Sequence, residues 1–273
     1  MRIRIVDAFS ERPFAGNPAG VVLLDSGAFP DTAWLQQVAT EVNLSETAFA
    51  HPLPAGGDAD WALRWLTPAA EVNMCGHATL ATAHVLHTTG TATGTVRFRT
   101  RSGVLTTTAD DGGSITMDFP TAPLTPVEVP PAVAGALGAE IRSAHDTGPG
   151  VGDLLVELAD EKSVRALAPD LKALAGHGGR GVITTAPAEN PDGGYDFISR
   201  CFFPGVGIDE DPVTGSAHTA LAPFWSARLG RADLVGLQGA ARTGFVRTGL
   251  RGDRTLLTGS AVTVIDGELL VTG

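Results

Sequence analysis

One motif occurs twice in this chain, once in each half, and a repeat constrains the fold more than any other feature here. The first copy runs Arg64-Trp65-Leu66-Thr67-Pro68, then Glu71, then Cys75-Gly76-His77-Ala78-Thr79-Leu80. The second runs Arg200-Cys201-Phe202-Phe203-Pro204, then Glu210, then Thr214-Gly215-Ser216-Ala217-His218. In both, an apolar strand-like run ends at Pro, a loop follows, and a small-residue turn opens a helix-like run. A duplicated chain builds two similar halves facing each other across a cleft. Where the copies differ the cleft is asymmetric, and asymmetry allows separate acid and base roles.

The element order around the copies agrees. Strands are expected over 2–9, 20–24, 46–50, 61–66, 95–100, 103–108 and 114–119, with turns at Gly16-Asn17-Pro18 and Asp111-Gly112-Gly113. Asp31 is placed to cap a helix through Trp34, Leu35, Val38 and Ala39. A second helix is expected from about Gly76 to His87, with Gly90 as its stop. The Pro- and Thr-rich stretch 120–131 reads as a linker. Beyond it come strands at 154–158, 182–185 and 196–203, a short helix after Pro169, and a helix from about Gly215. Few helices among many strands, without βαβ alternation, predict an α+β fold. It comprises two pseudo-symmetric domains, 1–119 and 132–273, each a curved mixed sheet or barrel around a central helix. The last strands are candidates to pack back on the first domain.

The composition narrows the partners. The 273 residues carry a formal net charge of −11, which repels phosphate backbones and argues against nucleic acid. No apolar run approaches the ~20 residues of a membrane span, and the start of the chain alternates like a strand instead of showing a signal-peptide apolar core. A cytoplasmic protein acting on a small molecule is the expectation, with no membrane partner. Two Cys do not make a disulfide framework.

The small-residue turns sit at helix starts, where unpaired N–H groups and the positive dipole end favour anions. Gly76 and Gly215 let a ligand approach closely; alternatively they only permit tight helix–sheet packing. Aligning the copies sets Val72 opposite Asp211, Glu71 opposite Glu210 and His77 opposite Ser216. Asp211 is either a capping carboxylate or a ligand-binding one, and both roles can hold together. Glu46, in Asn43-Leu44-Ser45-Glu46-Thr47, has no counterpart in 181–185, so it is either an exposed edge residue or a buried acid/base.

Cys75 is dipole-activated if it ionises, but Thr214 stands at the matching position and Cys201 lies well away in sequence. A two-thiol racemase is therefore disfavoured, and Cys75 reads as a small buried residue. His77 and His84 are two turns apart, ~10 Å, too far to share an ion. His84 and His87 have no acidic companion nearby in sequence, so no metal site is expected. The Gly-rich stretches 148–152 and 176–181 match neither a dinucleotide fingerprint nor a P-loop and read as loops.

At these residues the chain resembles the phenazine-biosynthesis PhzF-like isomerase family. The carriers are Asp7-Ala8-Phe9, Gly16-Asn17-Pro18, Asn43–Thr47, Cys75–Thr79, Glu210–Ala217, and Gln238-Gly239 with Arg242 and Gly244. The resemblance implies a diaminopimelate epimerase-like fold and a cofactor-independent proton shift. It implies Glu46 as the acid/base, with His77, Asp211 and Ser216 binding substrate, Gly76 and Gly215 offering backbone, and, by analogy, a homodimer. Cys75, Asn17 and Thr214 are further candidates. The phenazine enzymes carry Ala where Cys75 stands, a departure that bears on the substrate. Two other readings stay open: an amino-acid epimerase or racemase of the same fold, and a non-catalytic small-molecule-binding protein.

Overall fold

The computed structural model describes residues 1–25 and 27–271. Its chain divides into two compact units, one of Met1–Asp118 with the segment from Thr258 onward, the other of Phe119–Leu257. The expected domain limits shift accordingly. The stretch 120–131 is not a free linker but part of the second unit, and the C-terminal strands belong to the first.

In the first unit, β1 (Arg2–Ala8), β2 (Asn17–Leu23), α1 (Thr32–Val42), β3 (Glu46–Pro52), β4 (Trp61–Leu66) and β5 (Glu71–Val72) lead to α2 (Gly76–Thr88). Then come β6 (Thr95–Thr100), β7 (Gly103–Ala109) and β8 (Ile115–Pro120), whose last residues enter the second unit. That unit continues with β9 (Thr125–Pro126), α3 (Pro131–Leu137), β10 (Ile141–Asp146), β11 (Asp153–Leu158), α4 (Glu161–Arg165), α5 (Leu171–Ala175), β12 (Gly181–Pro187) and β13 (Phe197–Phe203). Next are β14 (Ile208–Asp211), α6 (Gly215–Leu229), β15 (Asp233–Gly239) and β16 (Thr243–Arg251). Strand β17 (Arg254–Gly259) returns the chain to the first unit, where β18 (Ala261–Glu268) pairs antiparallel with β1 from Arg2↔Glu268 to Ala8↔Ala261.

Strand pairing follows one plan in both units. In the first, β1–β2 is antiparallel, β2–β3 parallel, β3–β4 and β4–β5 antiparallel, and β4–β6 parallel. In the second, β10–β11, β11–β12, β12–β13, β13–β14 and β13–β15 take the same senses in the same order. Trp65 pairs with Val72 in one and Cys201 with Asp211 in the other, the alignment drawn from the sequence. The preceding arginines make matching ion pairs, Arg64 to Glu71 at 2.6 Å and Arg200 to Glu210 at 2.7 Å.

Local chemistry explains the helices. Asp31 accepts from the Ala33 N–H and caps α1, which buries Leu35, Val38 and Ala39 and stops at Asn43 in the left-handed region. Helix α2 sets Ala, Leu and Val among small threonines and is buried along most of its length. Its fully buried Leu80, Val85 and Leu86 each contribute about 1.5–3 kcal/mol. Its threonines turn inward by donating to backbone, Thr79 to Cys75 O and Thr82 to Ala78 O. Helix α6 is the buried helix of the second unit, with Trp225 stacked on Phe197 and its Nε1 donating to Thr185 Oγ1. Pro223 lies inside α6 and has no N–H for the Thr219 carbonyl four residues back. That carbonyl instead accepts the Ala122 N–H at 3.1 Å, which ties the 120–131 stretch to the helix. Pro131 opens α3, where its missing N–H costs nothing.

Candidate active site

The first unit gathers five of the expected residues at the head of α2. Asn17 opens β2, Glu46 opens β3 beside Ala19, and Cys75 is the N-cap preceding Gly76 and His77. Gly16 fixes where Asn17 starts: its φ is +65° and a Cβ would stand 2.1 Å from the Ala8 carbonyl oxygen, so only Gly fits. His77 Nε2 lies 3.3 Å from Glu46 Oε2, inside ion-pair range though off hydrogen-bond alignment. His77 Nδ1 lies 3.3 Å from the Asn17 amide Nδ2 and 3.5 Å from Cys75 Sγ. With the Asn17 amide and the thiol as donors, Nδ1 is the acceptor and the ring proton sits on Nε2, towards Glu46. Burial pushes the His77 pKa down to about 3, so the imidazole is neutral at working pH. Glu46 is not an exposed edge residue: its side chain is 12% accessible.

The second unit gathers Asp211, Thr214, Gly215 and Ser216 at the head of α6. Thr214 is the N-cap, but its hydroxyl donates to Asp211 Oδ2 at 2.6 Å instead of capping the helix. Gln238 clamps this turn: its Oε1 accepts the Thr214 N–H, and its Nε2 donates to the Asp211 carbonyl and to Thr214 Oγ1. Gly239, at φ +104°, allows the close approach, since a Cβ there would meet the Arg242 carbonyl oxygen at 2.1 Å. Ser216 Oγ accepts from Arg180 Nη2 at 3.0 Å. Arg180 in turn holds Asp153 through two bonds, Nε to Oδ1 at 2.8 Å and Nη2 to Oδ2 at 2.6 Å, and lies over the Phe203 ring. Burial pushes the Asp153 carboxyl up, and the paired guanidinium pulls it back.

The 176–181 stretch is a loop up to the start of β12, as expected, and it supplies Arg180 to the Ser216 hydroxyl. Cys201, distant in sequence, is in register with Asp211 and bonded to Thr214, but burial pushes its thiol well above the usual range. Helical spacing gives no metal ligand set, but the fold brings Glu46, Cys75 and His77 together from separate elements, with one ligand atom from each within 4.8 Å of the others. His84 and His87 also gain acidic neighbours, since Glu11 and Asp110 line the same 390 Å³ cavity. No helix among the described residues is long and apolar enough to cross a membrane.

This mixed fold with few helices is that of the epimerase-like proteins. A hydroxyproline epimerase of Agrobacterium vitis aligns over 98% of this chain and 91% of its own with a TM-score of 0.59, at 15% identity, a likeness of fold alone. The chain belongs to the phenazine biosynthesis-like protein family, whose model matches residues 6–267. It is 47% identical to an uncharacterized isomerase of Pseudomonas aeruginosa over 97% of this chain and 96% of that one. The crystal structure of a PhzF-family phenazine biosynthesis protein from Enterococcus faecalis aligns with a TM-score of 0.90 at 39% identity, covering 99% of each chain.

Proposed function

We propose that the protein is a cofactor-independent isomerase that moves a proton on a small carboxylate-bearing metabolite, cyclic or amino-acid-like. The observation that carries this reading is the 3.3 Å approach of Glu46 to the neutral, buried His77. Glu46 takes a proton from one substrate carbon and returns it to another. His77 offers an Nε2–H donor to the substrate or to Glu46 itself. Asp211, Ser216 and the N–H groups opening α2 and α6 at Gly76 and Gly215 hold the polar substrate atoms. The matching strand plans and Arg–Glu pairs support descent of the two units from one duplicated ancestor.

The isomerase names of its relatives support the reaction class. The test is a metabolite screen for solvent-deuterium incorporation by the purified protein, run beside Glu46→Gln. Incorporation by the wild type and not by the variant is expected. Equal incorporation by both would sink the assignment.

A second reading, 1,1-proton transfer as in an epimerase, has one observation in its favour: Cys75 Sγ sits 3.5 Å from the accepting ring nitrogen of His77. The raised pKa of Cys201 weighs against a thiol pair.

A further inference from the structure

We propose that Glu46, Cys75 and His77 form a binding site for a soft divalent cation, Zn²⁺ or Cd²⁺, whose occupation shuts the acid/base cluster. One ligand atom from each residue lies within 4.8 Å of the other two. Nε2 to Oε2 is 3.3 Å and Sγ to the near ring nitrogen is 3.5 Å. Tetrahedral zinc, with bonds of about 2.0–2.3 Å, sets its N, O and S ligands roughly 3.3–3.6 Å apart. The two short distances use different ring nitrogens, Nε2 towards Glu46 and Nδ1 towards Cys75, and only one nitrogen can bind the ion, so up to two separations must close, each from no more than 4.8 Å, which side-chain rotation covers.

The donor set also selects the ion. A thiolate with an imidazole suits zinc or cadmium, whereas magnesium and calcium take oxygen ligands. Binding forms a metal–sulfur bond as the Cys75 S–H releases its proton to solvent and the ion sheds water. A thiolate and a carboxylate then cancel the two positive charges of the ion. The resulting complex is neutral, which a buried position requires. Three protein ligands leave a fourth position for water or a substrate carboxylate.

Metal binding does not depend on the isomerase reading, because the metal can be read without turnover; only the shutting of the acid/base cluster rests on that reading. Cd²⁺ titrated into the purified protein should raise a thiolate-to-cadmium ultraviolet absorption band that saturates at one ion per chain. Cys75→Ala should abolish the band, and Cys201→Ala should keep it, since that thiol lies in the core. Glu46→Gln should keep the band but bind at least ~10-fold more weakly, since even outer-shell changes cost that much. Zn²⁺ in the same titration should compete with Cd²⁺, and Mg²⁺ should not. No saturable band in the wild type, or a band that survives Cys75→Ala, overturns the proposal. A Cys75→Ala protein that fails to fold is replaced by alkylation of the wild type, in which Cd²⁺ should protect Cys75 from iodoacetamide; unprotected labelling refutes the site. Once a deuterium-exchange substrate is known, Cd²⁺ should abolish exchange and a chelator restore it.

Discussion

The heads of α2 and α6 share a backbone frame and differ in their side chains. Each helix opens on Gly after an N-cap whose side chain does not cap it. Each N-cap carbonyl accepts from the residue four positions on, Thr79 to Cys75 O and His218 Nδ1 to Thr214 O. The position after the glycine then diverges. His77 meets Glu46 as a neutral, desolvated imidazole, whereas Ser216 is anchored through Arg180 to Asp153. A neutral imidazole beside a carboxylate suits proton movement, while a guanidinium locked on a buried carboxylate suits holding. On the proposed reading, one scaffold serves two tasks, with the choice left to a few side chains.

Four measurements bear on that contrast. The largest effect is expected in the second unit. Arg180→Met strands the fully buried Asp153 and should cost about 3 kcal/mol in denaturant unfolding, the low end for a broken buried pair because the guanidinium is partly solvated. Adding Asp153→Asn should recover part of the loss; if Arg180→Met unfolds like the wild type, the pair is not holding the helix head. Next comes Glu46→Gln, expected to lower turnover at least ~100-fold, or about 2.7 kcal/mol, with much less change in KM. Loss mainly in KM would make Glu46 a binding residue and erase the division of labour.

Third is the response to acid. The folded His77 and His218 have pKa values pushed by burial from 6.5 to about 3 and about 4. The unfolded chain therefore binds protons that the folded chain refuses as pH falls below 6.5. Stability is complete above that value and declines by about 1.4 kcal/mol per pH unit for each histidine until the folded pKa is reached. Between pH 7.5 and pH 6 the two histidines together should cost about 1.5 kcal/mol of unfolding free energy, and His218→Gln should halve that difference. An unchanged slope in that variant would place the acid sensitivity elsewhere. The smallest effect is expected of Cys75→Ala, a drop in turnover of under ~10-fold, since the thiol only adjoins His77. A dead Cys75→Ala beside an active Glu46→Gln would reverse the roles and point to thiol chemistry.

Much of this was legible in the sequence, for identifiable reasons. Asp31 announces α1 through its capping oxygen, and the two glycine turns announce α2 and α6. Asp211, Thr214 and Ser216 cluster within six residues, so their neighbourhood is local. Arg180 was missed because it sits among glycines with no periodicity, and its partners Asp153 and Ser216 lie 27 and 36 residues away in the chain. The approach of Glu46 to His77 spans strand and helix, and no spacing rule encodes it. The Cys75–His77 contact was hidden differently: the residues are neighbours, but only the N-cap geometry turns the thiol towards the ring. The return of the last strands to the first unit was anticipated, but not its register on β1, because that pairing joins the two ends of the chain.

That pairing has a bearing on how the protein is made. Domains commonly fold as units while the ribosome is still adding residues, the earliest first. Here the order is inverted. Strand β1 needs β18 as a neighbour along its full length, and β18 is translated only after the whole of the second unit. The later-encoded unit can mature while its predecessor waits with one flank of β1 unsatisfied, an edge open to wrong partners. Slowing translation just before residue 261 should therefore lengthen the time the nascent first unit stays protease-sensitive and leave the second unit unaffected.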